Sequence, residues 1–230
     1  MTNALYAVEK TCSICGESFM VTKVRSRLVK MKQDTDFCCY YKGINPYYYT
    51  VWVCPHCGYA AQDTMFDRLS AGAAAKIENF LASRKVNLNL GGTRTREQAV
   101  DAYKLAIFYE ELIEAAASKI GGLYLRLAWV YREGQQGEEE QLALKKAVEF
   151  YDQALSRERL PIGVMSEITL TFLVGELYRR TGAVDKSLQY FSKVVSSPQA
   201  KLERRILTMA REAWQQAREE RRQTAGGAEE

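Results

Sequence analysis

The chain has 230 residues, of which 47% are hydrophobic, 26% are charged and four are prolines, a composition that excludes disordered and fibrous proteins. Its formal net charge of +4 is too small to indicate nucleic-acid binding by itself. No apolar run approaches the roughly 18 residues of a membrane-spanning helix, and the start MTNALYAVEK lacks the layout of a secretion signal, so we expect a cytoplasmic protein with no membrane partner.

Two Cys-x-x-Cys-Gly motifs, CSICG at 12–16 and CPHCG at 54–58, are the strongest signal in the sequence. Each places two sulfur atoms on one side of a tight turn, and the glycine that follows can adopt the backbone conformation that closes it. Two such turns supply four thiolates, the donor set of a closed, tetrahedral structural site. The predicted metal ligands are Cys12, Cys15, Cys54 and Cys57.

Zn²⁺ is the ion that we expect at this site. The run WVCPHCG also resembles the second knuckle of rubredoxin, in which four thiolates hold iron for electron transfer. Iron is the less favoured alternative, because the spacing between knuckles that is typical of rubredoxin is absent here. Ligand geometry alone does not separate the two metals.

Three further residues with reactive side chains lie close to these motifs. His56, the only histidine, stands between two ligand cysteines, and a turn of this kind points its intervening side chains away from the metal. Cys38 and Cys39 are adjacent and would alternate sides on a strand, so at most one could face the metal. We expect all three outside the site. Cys38 and Cys39 could be an alternate ligand pair, regulatory thiols or small buried residues.

The segments between the two motifs favour β-strands. VTKVRSRLVKM alternates basic with smaller or apolar residues, with a bulge or turn where the alternation changes phase, and YYYTVWV is rich in aromatic and β-branched residues. Cations and aromatic rings are together the components of a nucleic-acid surface. Basic residues also commonly protect strand edges, and aromatic residues commonly fill thin cores. Either interpretation predicts a β-rich head over residues 1–66, with metal binding supplying much of its folding free energy.

The composition becomes helical after the head. Residues 67–96 form a predicted linker, in which AGAAAKIENFLAS favours a helix and NLNLGGTRT is typical of an exposed loop before a helix that begins near Glu97. A helical body is predicted over residues 97–222, and residues 223–230 are expected to be a disordered tail.

A weak internal repeat runs through the helical body. A small residue is followed four positions on by an aromatic residue and three further on by a small or β-branched residue, all on one helix face. The three copies are Ala99, Tyr103 and Ala106; Ala147, Tyr151 and Ala154; and Ser187, Phe191 and Val194. Two of these copies are preceded by a second pattern, which comprises Tyr124, Leu127, Ala128 and Tyr131, and then Thr171, Val174, Gly175 and Tyr178. Together the two patterns resemble the tetratricopeptide repeat, a helical hairpin whose small residues allow close approach of its helices. A plain helical bundle is the alternative.

Stacked hairpins of this kind line a concave groove that holds extended peptides or partner helices. The resemblance implies that five residues face such a groove: Trp129, Arg132, Phe172, Arg179 and Arg180. The three arginines would favour an acidic partner segment. The carboxylate-clamp residues of the tetratricopeptide family are not reproduced, so capture of a C-terminal carboxylate is not expected.

The order of motifs along the chain resembles an uncharacterised bacterial family, a domain of unknown function found largely in Gram-positive, spore-forming lineages. The resemblance rests on CxxCG, KVRSR, DTDFC, NPYYY and VCPHCGYAA, followed by the helical body. It covers nearly the whole chain and implies an architecture without an activity. The predicted fold class is α+β, with a small β-rich, zinc-ribbon-like head, whose knuckles are rubredoxin-like, before an all-α tetratricopeptide-like body.

The motifs of several enzyme classes are missing. The sequence has no GxxxxGK[ST], no strand-linked GxGxxG and no HExxH, and its single histidine is poorly placed to act as a general base. We therefore expect a non-catalytic zinc-binding adaptor that binds a protein partner and no small-molecule substrate. A nucleic-acid-binding zinc ribbon and a redox or electron-transfer protein acting through its thiolates are the alternatives.

Overall fold

The computed structural model describes residues 4–84, 86, 88 and 90–226, the last three by their backbone alone. Over these residues the protein is α+β, with six short strands followed by seven α-helices, and the predicted α+β class is confirmed. None of these helices combines the length and the apolar content that crossing a lipid bilayer requires.

The strands form three separate antiparallel pairs. The pairs are β1 (Leu5–Thr11) with β2 (Ser18–Val24), β3 (Lys30–Gln33) with β4 (Cys39–Tyr41), and β5 (Val51–Val53) with β6 (Ala60–Gln62). Thr11 lies opposite Ser18 and Val53 opposite Ala60, so each cysteine motif is the turn of a hairpin. In the basic run from Lys23 to Lys32, Lys23 lies in β2, Lys30 and Lys32 lie in β3, and Arg25 and Arg27 lie between the two strands. The register of β3 against β4 shifts between Lys30 and Lys32.

Three of the helices begin directly after a residue whose side chain caps the helix. The Ser70 and Ser166 side chains each accept a hydrogen bond from the backbone N–H three residues on. Thr95 and Gln98 form a capping box at a helix that begins one residue before the predicted Glu97. The helices are α1 (Ala71–Leu81), α2 (Arg96–Leu112), α3 (Ala117–Glu133), α4 (Gly137–Arg157), α5 (Glu167–Arg180), α6 (Val184–Ser196) and α7 (Arg204–Gly226), with 3₁₀ turns at Pro46–Tyr49 and Pro198–Leu202.

The chain divides into two compact units. The first takes in the chain up to Gln33, Cys39–Ala115 and Arg126–Gly137, and the second takes in Asp34–Cys38, Ala116–Leu125 and the chain from Glu138 onward. The first unit therefore continues past residue 66, where the predicted head ends, and includes α1 and α2. Each unit is thus assembled from segments that are distant in sequence.

Aromatic residues form the core of the first unit. The fully buried Phe66 ring has its centroid 5.0 Å from that of Tyr59, 5.7 Å from Phe19 and 5.8 Å from Trp52. Tyr59 in turn lies 5.5 Å from Tyr109 of α2. The strand pairs are short and bury little apolar surface, and the packing of β5 and β6 against α2 extends the core of this unit.

The helices of the second unit pack closely where glycine allows it. A Cβ atom on Gly175 of α5 would lie 2.9 Å from the ring of Phe191 in α6, so the hairpin formed by α5 and α6 requires glycine at this position. All nine residues of the predicted repeat, which belong to α2, α4 and α6, are buried. The predicted helix face is therefore present in all three helices, and the tetratricopeptide-like repeat itself stays a prediction.

Candidate metal centre

The two cysteine motifs fold into turns with the same backbone hydrogen bonds. The N–H of the first cysteine donates to the carbonyl five residues on, at 2.9 Å for Cys12 and 2.8 Å for Cys54. The N–H of the glycine donates back to the carbonyl of that cysteine, at 3.0 Å for Gly16 and 2.9 Å for Gly58. Both glycines have positive φ angles, of 74° and 79°, which is the left-handed region that the turn requires.

The two turns bring their four sulfur atoms together. All four Sγ atoms lie within 4.8 Å of one another. The Sγ atoms of Cys12 and Cys57 are 3.7 Å apart, as are those of Cys15 and Cys54, so both short separations join one turn to the other. A tetrahedral site with zinc–sulfur bonds of about 2.3 Å has sulfur–sulfur edges of about 3.8 Å. The cluster therefore fits a single tetrahedral ion, and no pair is at the roughly 2.0 Å of a disulfide bond.

The chain also matches the model of a known protein family. A family model described as an uncharacterized protein conserved in bacteria matches residues 5–217, which include both turns and most of the helices. The chain belongs to this family, DUF2225. No match was found among curated proteins or among solved structures. The bacterial family predicted from the order of motifs is thereby confirmed.

Hydrogen bonding and burial shift the pKa values of three thiols of this DUF2225 member. A hydrogen bond between the sulfur atoms of Cys12 and Cys57 lowers the pKa of Cys12 to about 5. The same hydrogen bond raises the pKa of Cys57, and burial raises the pKa of Cys54 to about 11. Four thiolates at this spacing require a positive ion at their centre.

Burial is uneven across the cluster. Cys12 and Cys54 are 2% and 0% exposed, whereas Cys57 is half-buried and Cys15 is exposed. The backbone N–H of Ile14 lies 3.5 Å from the Cys12 sulfur as a weak donor. Since four cysteines occupy all four tetrahedral positions, a bound ion has no open position for a substrate, which is the arrangement of a structural site.

The other candidate ligands lie outside this cluster. His56 is exposed, and the group of potential ligands that the described residues bring together contains only the four motif cysteines. Cys38 is buried in the loop between β3 and β4, which belongs to the second unit. Cys39 is half-buried in β4, and its backbone N–H donates to the hydroxyl of Tyr47 at 3.0 Å.

The residues predicted to line a partner groove are divided between the two units. In the first, Trp129 is buried with its ring centroid 4.9 Å from that of Tyr47, and Arg132 is half-buried near the end of α3. In the second, Phe172 is fully buried. Arg179 and Arg180 of the second unit are partly buried and form ion pairs with Glu176. All five residues already have neighbours from the chain itself.

A buried arginine in the linker escaped the sequence analysis. The predicted exposed loop NLNLGGTRT contains two buried residues, Leu90 and Arg94, while Asn87 and Asn89 lie outside the described residues. The Arg94 guanidinium donates to the carbonyls of Leu90 at 2.8 Å, Tyr48 at 3.0 Å and Val51 at 2.6 Å. Burial lowers the pKa of Arg94 to about 10, so it stays charged at neutral pH. Through these hydrogen bonds the Arg94 side chain connects the linker to the start of β5.

Proposed function

We propose that this protein is a non-catalytic, cytoplasmic adaptor in which a structural zinc ion folds the cysteine hairpins and the helical body binds a protein partner. The convergence of four cysteine sulfurs within 4.8 Å is the observation that carries the proposal. A closed four-thiolate site contributes folding free energy and offers no position for catalysis. Zinc is preferred to iron because the knuckle spacing departs from that of rubredoxin.

The positions of the aromatic rings favour the adaptor over the nucleic-acid alternative. The Lys10 and Lys23 ammonium groups lie 5.1 and 5.3 Å from the centroid of Trp52, which is itself buried. The Lys32 ammonium lies 4.3 Å from the centroid of Tyr40. Single-stranded nucleic acids bind by stacking their bases on accessible rings. Lysine side chains lie against the rings of Trp52 and Tyr40 and cover them.

An open groove between α6 and α7 supports the binding of a protein partner. It has a volume of about 690 Å³, and its lining includes the apolar side chains of Leu188 and Trp214. The Arg218 guanidinium lies 5.6 Å from the centroid of Trp214, and Arg221 lies 3.5 Å from a carboxylate oxygen of Asp185. Two cations against one carboxylate give the groove a positive charge. Its proposed occupant is an acidic segment with one apolar anchor residue.

Site-specific crosslinking tests this proposal. A photoreactive amino acid at Gln189, in the groove, is compared in cells with the same amino acid at Lys145, an exposed position on α4. We expect Gln189 to crosslink to an acidic segment of one protein, and Trp214→Ala to reduce the yield about tenfold through loss of the aromatic wall. Equal crosslinking from both positions, or a yield that Trp214→Ala does not change, would show that the groove binds no partner.

A further inference from the structure

The loop between β3 and β4 is tight and preorganised. The N–H of Asp34 donates to the carbonyl of Cys38 at 2.8 Å, and the N–H of Phe37 donates to the carbonyl of Asp34 at 3.0 Å. The Asp36 carboxylate accepts a 3.3 Å hydrogen bond from the N–H of Cys38. Phe37 has a φ of 70°, a left-handed conformation that bulky residues rarely adopt. Such a conformation persists only where surrounding contacts hold it.

The Phe37 ring supplies the apolar part of those contacts. The loop residues Asp34–Cys38 belong to the second unit, as does α5. The centroid of Phe37 lies 5.8 Å from that of Phe172, which is fully buried in α5. Phe37 also packs against the cluster of buried residues around Phe172 and Phe191. An aromatic side chain from the loop thus extends the core of the helical unit.

Polar contacts with the same helix flank this ring. The Thr35 hydroxyl donates to a carboxylate oxygen of Glu176 and accepts a 3.0 Å hydrogen bond from Nη2 of Arg180. The same Arg180 nitrogen lies 3.8 Å from Oδ1 of Asp36. Asp36 is 0% exposed. A buried carboxylate needs compensating partners, and Arg180 is a cation that faces it.

Arginine side chains hold the acceptor in place. Arg179 donates from Nε and Nη2 to the two carboxylate oxygens of Glu176, both at 2.9 Å, and Arg180 donates from Nε at 2.7 Å. Glu176 is 0% exposed. Arg179 also donates from Nη1 to Glu220 of α7 at 2.8 Å. We call Phe172, Glu176, Arg179 and Arg180 the α5 site.

The α5 site contacts three different chemical groups of the loop, which are a hydroxyl, a carboxylate and an aromatic ring in consecutive residues. We propose that the α5 site is a peptide-recognition site that the chain's own loop occupies, and that partner segments with the same three groups in the order of Thr35, Asp36 and Phe37 compete for it. This is a second recognition site, independent of the groove between α6 and α7. The acidic segment that the sequence analysis predicts at Arg179 and Arg180 then has a counterpart inside the chain.

The loop, by occupying the α5 site, lowers the apparent affinity of the site for any such partner. A tethered ligand competes at an effective concentration that is on the order of millimolar. The apparent association constant for an external segment equals its intrinsic value multiplied by the fraction of molecules whose site is open. Weakening the loop's own contacts should therefore strengthen the binding of an external peptide, which is the opposite of what damage to an ordinary binding surface does.

A peptide-binding measurement tests this proposal. The probe is a fluorescent peptide that copies residues 30–41 with serine in place of both cysteines, and the titrated protein is the 230-residue chain. We expect the chain with Asp36→Ala and Phe37→Ala to bind the probe about tenfold more tightly than the unaltered chain. Adding Arg180→Ala should abolish that gain. A probe with alanine at the position of Phe37 serves as the control and should not bind.

Two outcomes would overturn the proposal. One is a double variant that keeps its helical circular dichroism and its thermal transition but binds the probe no more tightly than the unaltered chain. The other is a gain in affinity that Arg180→Ala does not remove. Should the double variant fail to fold, the Thr35→Ala variant is titrated with the same probe in its place. Thr35 is exposed, so its replacement removes hydrogen bonds alone. We expect about threefold tighter binding for that variant, and an unchanged affinity would also overturn the proposal.

Discussion

Replacing Cys54 with serine should abolish stoichiometric metal binding and unfold the cysteine hairpins. Cys54 is fully buried, and its sulfur lies 3.7 Å from that of Cys15 in the other turn. Structural zinc supplies about 10–16 kcal/mol of apparent binding free energy in zinc-finger peptides. Three remaining ligands and a serine hydroxyl hold zinc far more weakly, so we expect less than a tenth of the unaltered metal content. Elemental analysis of the purified chain gives the number of metal ions per chain.

The matched control for this variant is Cys39→Ser. Cys39 is half-buried and lies outside the cluster of four cysteines. It should keep one metal ion per chain and the near-ultraviolet circular dichroism of the buried aromatic residues, which Cys54→Ser should lose. Full metal content in the Cys54→Ser variant would contradict the assignment of the four ligands.

Replacing Arg94 with methionine should destabilise the first unit by about 2–6 kcal/mol, since two of its side-chain hydrogen bonds are buried and each buried acceptor that loses its donor costs about 1–3 kcal/mol. Methionine keeps most of the aliphatic volume but leaves the carbonyls of Leu90, Tyr48 and Val51 without the guanidinium. The stability of the Arg94→Lys variant should lie between that of the unaltered chain and that of the methionine variant, because one ammonium cannot reproduce the hydrogen-bond directions of a guanidinium. The free energy of unfolding in urea, with metal bound, measures both effects.

Arg68→Met controls for the loss of one positive charge. Arg68 is an exposed residue of the same unit, and surface substitutions of this kind usually change stability by less than about 0.5 kcal/mol. Equal unfolding free energies for the Arg94→Met and Arg68→Met variants would show that the buried guanidinium does not hold the linker in place.

Each half of the cysteine cluster was predictable because the geometry of its turn is local, and the four-thiolate donor set of a structural metal site indicated that the two turns meet. A CxxCG turn fixes the direction of its two sulfurs through hydrogen bonds that close within six residues, as at Cys12 and Cys54. Strands enter and leave each turn, so the hairpins follow from the same motif. The sequence also indicated the residues that share a helix face, and all nine residues of the repeat pattern are buried.

What covers each helix face was not predictable, because the covering residues come from distant parts of the chain. Trp129 contacts Tyr47, and Phe172 contacts Phe37. Helical spacing correctly places residues on a face, but it carries no information about whether that face stays open to a partner. The predicted groove residues therefore turned out to have intramolecular neighbours.

Buried polar residues were hidden for the same reason. The buried Glu176 accepts a hydrogen bond from Thr35, 141 positions away in sequence, and the buried Arg94 reaches the carbonyl of Tyr48 across 46 positions. An arginine in a loop or the second aspartate of an Asp-Thr-Asp run looks solvent-exposed by composition, and only tertiary contacts make its burial stable. The boundaries of the two units also depend on such contacts, as between Tyr59 and Tyr109.

X-ray absorption spectroscopy of the metal in the purified 230-residue chain tests the central claim most directly. The account predicts one zinc ion per chain, with four sulfur neighbours at about 2.3 Å and no nitrogen or oxygen neighbour. A chain that is fully folded without metal, or an ion with fewer than four sulfur neighbours, would contradict it.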